Sequence, residues 1–230
     1  DKIIDLLQKN NLPYYSGSPF ALLRRALCAR GDYAGALKLA KGLPVDLFPF
    51  QYSYQLALDL LFHGKLDLAL HETEKMLDRS ENEFSMLRLK GDIHLLKDDW
   101  VRAGECYKNC LDARGLDIYS LRFRINALTR LASLNLSAGK FDKAISYIKQ
   151  GIKEASDLGE QRWLGSLHLS LSNFYYGKGN FKGAAEECQK VLDNAFEDPS
   201  VTRRMTALFL KGHIALKMNN LSESRIKQMN

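Results

Sequence analysis

A short skeleton recurs six times along the chain and dictates most of what it can fold into. Each instance has a residue that favours or tolerates left-handed backbone, an aromatic or aliphatic residue two places on, and a small residue three further. The instances are Gly31-Asp-Tyr-Ala-Gly-Ala36, Gly64-Lys-Leu-Asp-Leu-Ala69, Asp98-Asp-Trp-Val-Arg-Ala103, Gly139-Lys-Phe-Asp-Lys-Ala144, Gly179-Asn-Phe-Lys-Gly-Ala184 and Asn219-Asn-Leu-Ser-Glu-Ser224. The runs Leu128 to Leu136 and Leu164 to Tyr176 before Gly139 and Gly179 are amphipathic. Glycine takes positive φ without a steric cost, so it ends such helices, and Asp98 and Asn219 tolerate the same backbone. A second helix begins at once, and Ala144 or Ala184 lets its axis approach the first closely. The unit is a helical hairpin, which cannot bury its apolar face alone.

The turns at 31, 64, 98, 139, 179 and 219 are 33, 34, 41, 40 and 40 residues apart. Seven residues before each lies Arg24, Ala57, Gly91, Ala132, Ser172 or Gly212, small in every case but Arg24. Period-two alternation is absent beyond a few residues, so the expected class is all-α. Asp1 to Asn11 reads as a short amphipathic helix, Ser18 as an N-cap before Pro19, and Ser80-Glu-Asn-Glu83 as a capping box. Residues 1–17 are expected to cap the first hairpin or to end a preceding one. Residues 18–230 are expected to form a solenoid of about six hairpins with the last truncated. The chain begins at Asp1 and ends inside the second helix of its sixth unit, which reads as part of a larger chain or complex.

Composition narrows the function classes. The net charge of +6 is interspersed, with Arg24-Arg25 and Arg203-Arg204 as the only adjacent arginine pairs, so nucleic acid is disfavoured as a partner. No apolar run is long enough to insert into a membrane, and no signal-peptide layout opens the chain. The four cysteines, Cys28, Cys106, Cys110 and Cys188, read as buried reduced thiols of an intracellular protein, cytoplasmic or nuclear. Cys106 and Cys110 are one helical turn apart, but without CxxC or a nearby histidine at ligand spacing no metal or cofactor is assigned. Phosphate loops, HExxH and GxSxG are absent, and the histidines are scattered among units. No catalytic residue is assigned, and the chain is not read as an enzyme.

The small residue, turn glycine, aromatic and alanine at this period resemble the tetratricopeptide repeat. The resemblance runs from about Ser18 to the end. The 40-residue units are similar to the longer repeats of kinesin light chains, G-protein regulatory scaffolds and signal-transduction ATPases. It implies a right-handed superhelical solenoid of antiparallel helix pairs whose first helices line a concave surface. The inward positions that follow from it include Tyr54, Arg88, Asp92, Thr129, Ser133, Asn173 and His213. Gln51 and Asn126 lie one turn further toward the N-terminus, and Arg122 and Arg162 occupy equivalent places forty residues apart. Asn173 matches a position where some long-repeat scaffolds carry a peptide-holding asparagine. The lysine and asparagine set of chaperone-binding members is missing, since those positions hold Ala21, Arg25, Tyr54, Leu58, Arg88 and Asp92.

The implied function is a protein–protein interaction scaffold that binds a peptide or helical segment of a partner in its groove. Two other readings stay open at this point. One is a ligand- or protein-sensing domain of a signal-transduction ATPase or transcription regulator, and the other is an architectural subunit of a multi-protein assembly.

Overall fold

The computed structural model describes residues 19–41, 49–78, 83–112, 118–193 and 200–229. Residues 1–17, Ser18 and Ser80, with the cap and capping-box assignments made for them, lie outside the described residues. The described residues are all-helical: α1 (Pro19–Ala29), α2 (Tyr33–Lys41), α3 (Pro49–Phe62), α4 (Leu66–Asp78), α5 (Glu83–Leu96), α6 (Trp100–Asp112), α7 (Ile118–Ser137), α8 (Phe141–Asp157), α9 (Gln161–Gly177), α10 (Phe181–Asp193) and α11 (Val201–Met229). None of them is long and apolar enough to cross a membrane. The chain divides into two compact units, residues 1–113 and 114–230.

Each predicted hairpin turn up to 179 forms by the same hydrogen bonds. At the first, Gly31 N–H donates to Cys28 C=O at 3.0 Å and Asp32 N–H to Leu27 C=O at 2.9 Å, the two bonds that close a helix through a left-handed residue. The pattern repeats at Gly64, Asp98, Gly139 and Gly179. Asp98 supplies the left-handed residue without being glycine, at φ 58°. The residue that closes one helix then opens the next. Asp32, Asp99 and Asn180 each accept a backbone N–H of the following first turn on a side-chain oxygen, as N-caps do. Lys140 holds the same place before α8 without a side-chain cap.

The small residue of the skeleton is where the helices cross. Ala36, Ala69, Ala103, Ala144 and Ala184 are all fully buried. On the facing first helices, Ala57 and Ala132 are buried too, and the Ser172 hydroxyl donates to the Ala184 carbonyl at 2.7 Å. Arg24, which breaks the small-residue pattern, is also buried. Its Nε bonds Asp59 Oδ2 at 2.7 Å, and its guanidinium lies 5.5 Å from the centre of the Tyr52 ring. Pairing and stacking together satisfy a charge that the register would otherwise exclude.

In the first unit one core runs through α1–α5, with Phe20, Leu39, Tyr52, Leu56, Met86 and Ile93 among its members. In the second unit Leu121, Ile125, Ile148, Leu167 and Phe174 form a core shared by α7, α8 and α9. Ala184, Cys188 and Ile214 join α10 to α11. The four cysteines are buried free thiols, as read from the sequence.

One expected turn is not made. The backbone stays helical through Asn219 and on to Met229, so α11 is a single helix where a sixth hairpin was expected.

Candidate functional site

In the first unit the register brings three of the expected residues together. Tyr54 lies on α3, and Arg88 and Asp92 lie one turn apart on α5. Arg88 donates from one terminal nitrogen to Asp92 Oδ2 at 2.5 Å and from the other to Tyr54 Oη at 2.9 Å. Tyr107 of α6 donates its hydroxyl to Asp92 Oδ1 at 2.7 Å. Both Asp92 oxygens are therefore claimed, and Arg88 is held from two sides in one orientation. The Arg88 side chain remains 17% exposed and that of Asp92 12%. A guanidinium has five N–H donors, and the two bonds to Asp92 and Tyr54 leave others for an incoming acceptor. Gln51 is on α3, but its side chain lies outside the described residues.

In the second unit the expected residues of α7 bond back onto their own helix. Asn126 donates its amide to the Arg122 carbonyl at 2.8 Å, Thr129 its hydroxyl to the Ile125 carbonyl at 2.8 Å, and Ser133 to the Thr129 carbonyl at 3.0 Å. With these bonds made, the hydroxyl oxygens and the Asn126 amide oxygen remain as acceptors, and Asn126 keeps a second N–H donor. Arg122 is exposed, with its guanidinium 6.0 Å from the Phe123 ring centre. Asn173 is exposed on α9, and among the described residues its side chain makes no hydrogen bond. His213 is exposed on α11 and packs against Phe209, with ring centres 4.7 Å apart. The side chain of Arg162 lies outside the described residues.

Residues 125–157, the latter part of α7 with α8, match the tetratricopeptide-repeat family model. A crystal structure of MamA aligns with a TM-score of 0.54 at 17% identity, covering 80% of this chain and 97% of that one. TTC0263, a thermophilic tetratricopeptide-repeat protein of Thermus thermophilus, aligns with a TM-score of 0.54 at 17% identity over 82% of this chain and 95% of its own. The chain has the tetratricopeptide-repeat fold. One repeat matches the family model, and the chain as a whole shares the fold of these proteins. At this identity the likeness concerns fold alone, and no curated protein matches the sequence.

Within the tetratricopeptide-repeat hairpins lie polar groups that the sequence pattern missed. Tyr107 is one, because its position on a second helix marks it as packing. Another set is Arg124 of α7, which grips Glu154 of α8 with Nε at 3.0 Å and a terminal nitrogen at 2.8 Å, while Gln150 also donates to Glu154 at 3.0 Å. Burial alone would raise the Glu154 carboxyl, but the bonds from Arg124 and Gln150 and the arginine charge hold it below its ordinary value. A third set joins His168 of α9 to Glu187 of α10 at 2.6 Å, with Lys190 on the other oxygen at 2.7 Å. Burial again acts to raise the Glu187 carboxyl, and its bonds to His168 and Lys190 outweigh it and hold it low. Residues 30 or 19 positions apart with no shared spacing carry no signal in one sequence.

Proposed function

We propose that the chain is a protein-interaction scaffold that holds an extended or helical segment of a partner protein on the first helices of its repeats. Each unit is read by itself: Tyr54, Arg88 and Asp92 form the contact surface of the first, and Arg122, Asn126, Thr129, Ser133 and Asn173 that of the second. The observation that carries the reading is the linked set across α3, α5 and α6. Its arginine is held in place by two partners before any ligand arrives, so little ordering is lost on binding. Asp92 offsets the arginine charge, so the site suits a neutral backbone carbonyl better than a bare carboxylate. The back-bonded hydroxyls of α7 offer the opposite chemistry, acceptors for a peptide N–H. A peptide backbone presents both groups at every residue.

A peptide library displayed on phage and selected on the unaltered protein supplies the probe. Peptides selected on the first unit are expected to lose roughly tenfold or more in affinity for Arg88→Gln, and those selected on the second unit the same for the double variant Arg122→Ala/Asn173→Ala. Arg122 and Asn173 are exposed, so the double variant should keep its melting temperature. Unchanged affinity in both variants would defeat the assignment.

A further inference from the structure

Helix α11 carries an apolar stripe that is exposed among the described residues. Val201, Met205, Leu208, Phe209 and Leu216 are exposed, Phe209 by 71%, and they recur at the three- and four-residue steps of one helix face. The opposite face, with Ala207 and Ile214, is the buried one. Gly212 lies in the middle of the exposed stripe, and a Cβ there would meet nothing within 4 Å. Its register equivalent on α5, Gly91, is different: a Cβ there would stand 2.5 Å from Cε1 of Tyr107 on the second helix of its hairpin. Ser172, the equivalent on α9, likewise touches its second helix, through the Ala184 carbonyl and Cys188 Sγ. Among the described residues, the notch that α6 fills over α5 and α10 fills over α9 has no occupant over α11.

Charge selects the occupant. From Val201 to Asn219 the helix has no Asp or Glu, while Arg204 and Lys211 border one side of the stripe and Lys217 lies beyond the other. Lys211 is bonded to the neutral amide of Gln189, so its charge is uncompensated by that contact. Two copies of this face would bring like charges together, which disfavours self-pairing. A membrane surface would accept the charge, but binding there grows with apolar area, and a glycine at the centre of the stripe removes area. We propose that this face docks an amphipathic helix from another protein, one with an aromatic or leucine knob for the Gly212 notch and carboxylates along its margins.

The test uses the full chain and two synthetic helical peptides with the same apolar face, one with glutamate margins and one with lysine margins. Fluorescence anisotropy should show binding of the glutamate peptide and at least tenfold weaker binding of the lysine peptide. Phe209→Glu and Gly212→Leu should each weaken the glutamate peptide tenfold or more, and Met205→Glu, at a second exposed position, serves if either variant loses helicity by circular dichroism. Arg204→Glu/Lys217→Glu should bring the two peptides to within a few-fold of one another or reverse their order. Failure of both peptides to bind, or equal binding by the unaltered chain, overturns the proposal. So does a dimer in sedimentation that Phe209→Glu dissolves, or uptake by phosphatidylserine vesicles without any peptide binding.

Discussion

At position 91 a single methyl group would collide with the ring of Tyr107, and at position 212 it would meet open space. The same substitution should therefore change stability in opposite directions. Gly91→Ala forces the Tyr107 ring away from α5 and loosens its bond to Asp92, a loss of about 1–3 kcal/mol by the usual cost of overpacking. Gly212→Ala meets no obstacle and replaces the poorest ordinary helix former with the best, a gain of up to about 1 kcal/mol. Urea unfolding of the two variants checks the pair, and a loss at 212 would mean that something already fills that notch. The sequence places both glycines in one register and calls for a small residue at each. It could not show that the neighbour which makes glycine obligatory exists only at the first. Arg24 teaches the same lesson from the other side, since its fit depends on Asp59 and Tyr52, 35 and 28 positions away.

Within a hairpin only three residues separate one helix from its successor, so the turn is a unit of stability. Asp32, Asp99 and Asn180 cap the following helix with a side-chain oxygen, and Lys140 does not. Lys140→Asp should supply the missing acceptor to α8 and place a negative charge at the positive end of the helix, a gain of about 1 kcal/mol. For a chain of this size that is a rise of roughly 2–4 °C in melting temperature, measurable by calorimetry. Asp32→Ala should lower it by a similar amount. These turns were legible in the sequence because one backbone state, positive φ, restricts residue choice so strongly that spacing alone finds them. Asn219 shows the limit of that signal. Asparagine permits a left-handed turn but does not require one, and Leu221-Ser-Glu-Ser224 offers little apolar surface for a returning helix, so the backbone continues as α11. Of the candidate site, the first-helix positions Tyr54, Arg88 and Asp92 were expected from the family resemblance, and the structure links them to one another. Tyr107, Arg124 and Glu154 were not expected, because packing between helices brings them to their partners.

At the scale of the whole molecule the buried titratable groups define the pH range in which the fold is most stable. His94 is 5% exposed, and burial is the main cause that pushes its imidazole below the ordinary 6.5; Asp99 opposes this, while Lys90, Arg102 and Lys97 add to it. The unfolded chain then takes up that proton first, so the His94 contribution is full above pH 6.5 and is lost as the pH falls through the lowered native value. Glu154 and Glu187 are also held below their ordinary 4.5, so their contributions disappear in turn as the pH drops beneath that value. On the alkaline side, burial pushes the thiols of Cys28, Cys106 and Cys188 above 9.0. There the unfolded chain releases protons that the native chain keeps, and stability falls as the pH rises past 9.0. From these groups a stability plateau between 6.5 and 9.0 is the expected outcome. Chemical unfolding followed from pH 8 to pH 3 should show stability declining in two stages. His94→Gln should abolish the upper stage, so that the variant gains on the unaltered chain as the pH falls from 7 to 5, and should leave the lower stage in place. A gap between the two proteins that stays constant over that interval would show that burial does not disfavour the His94 charge.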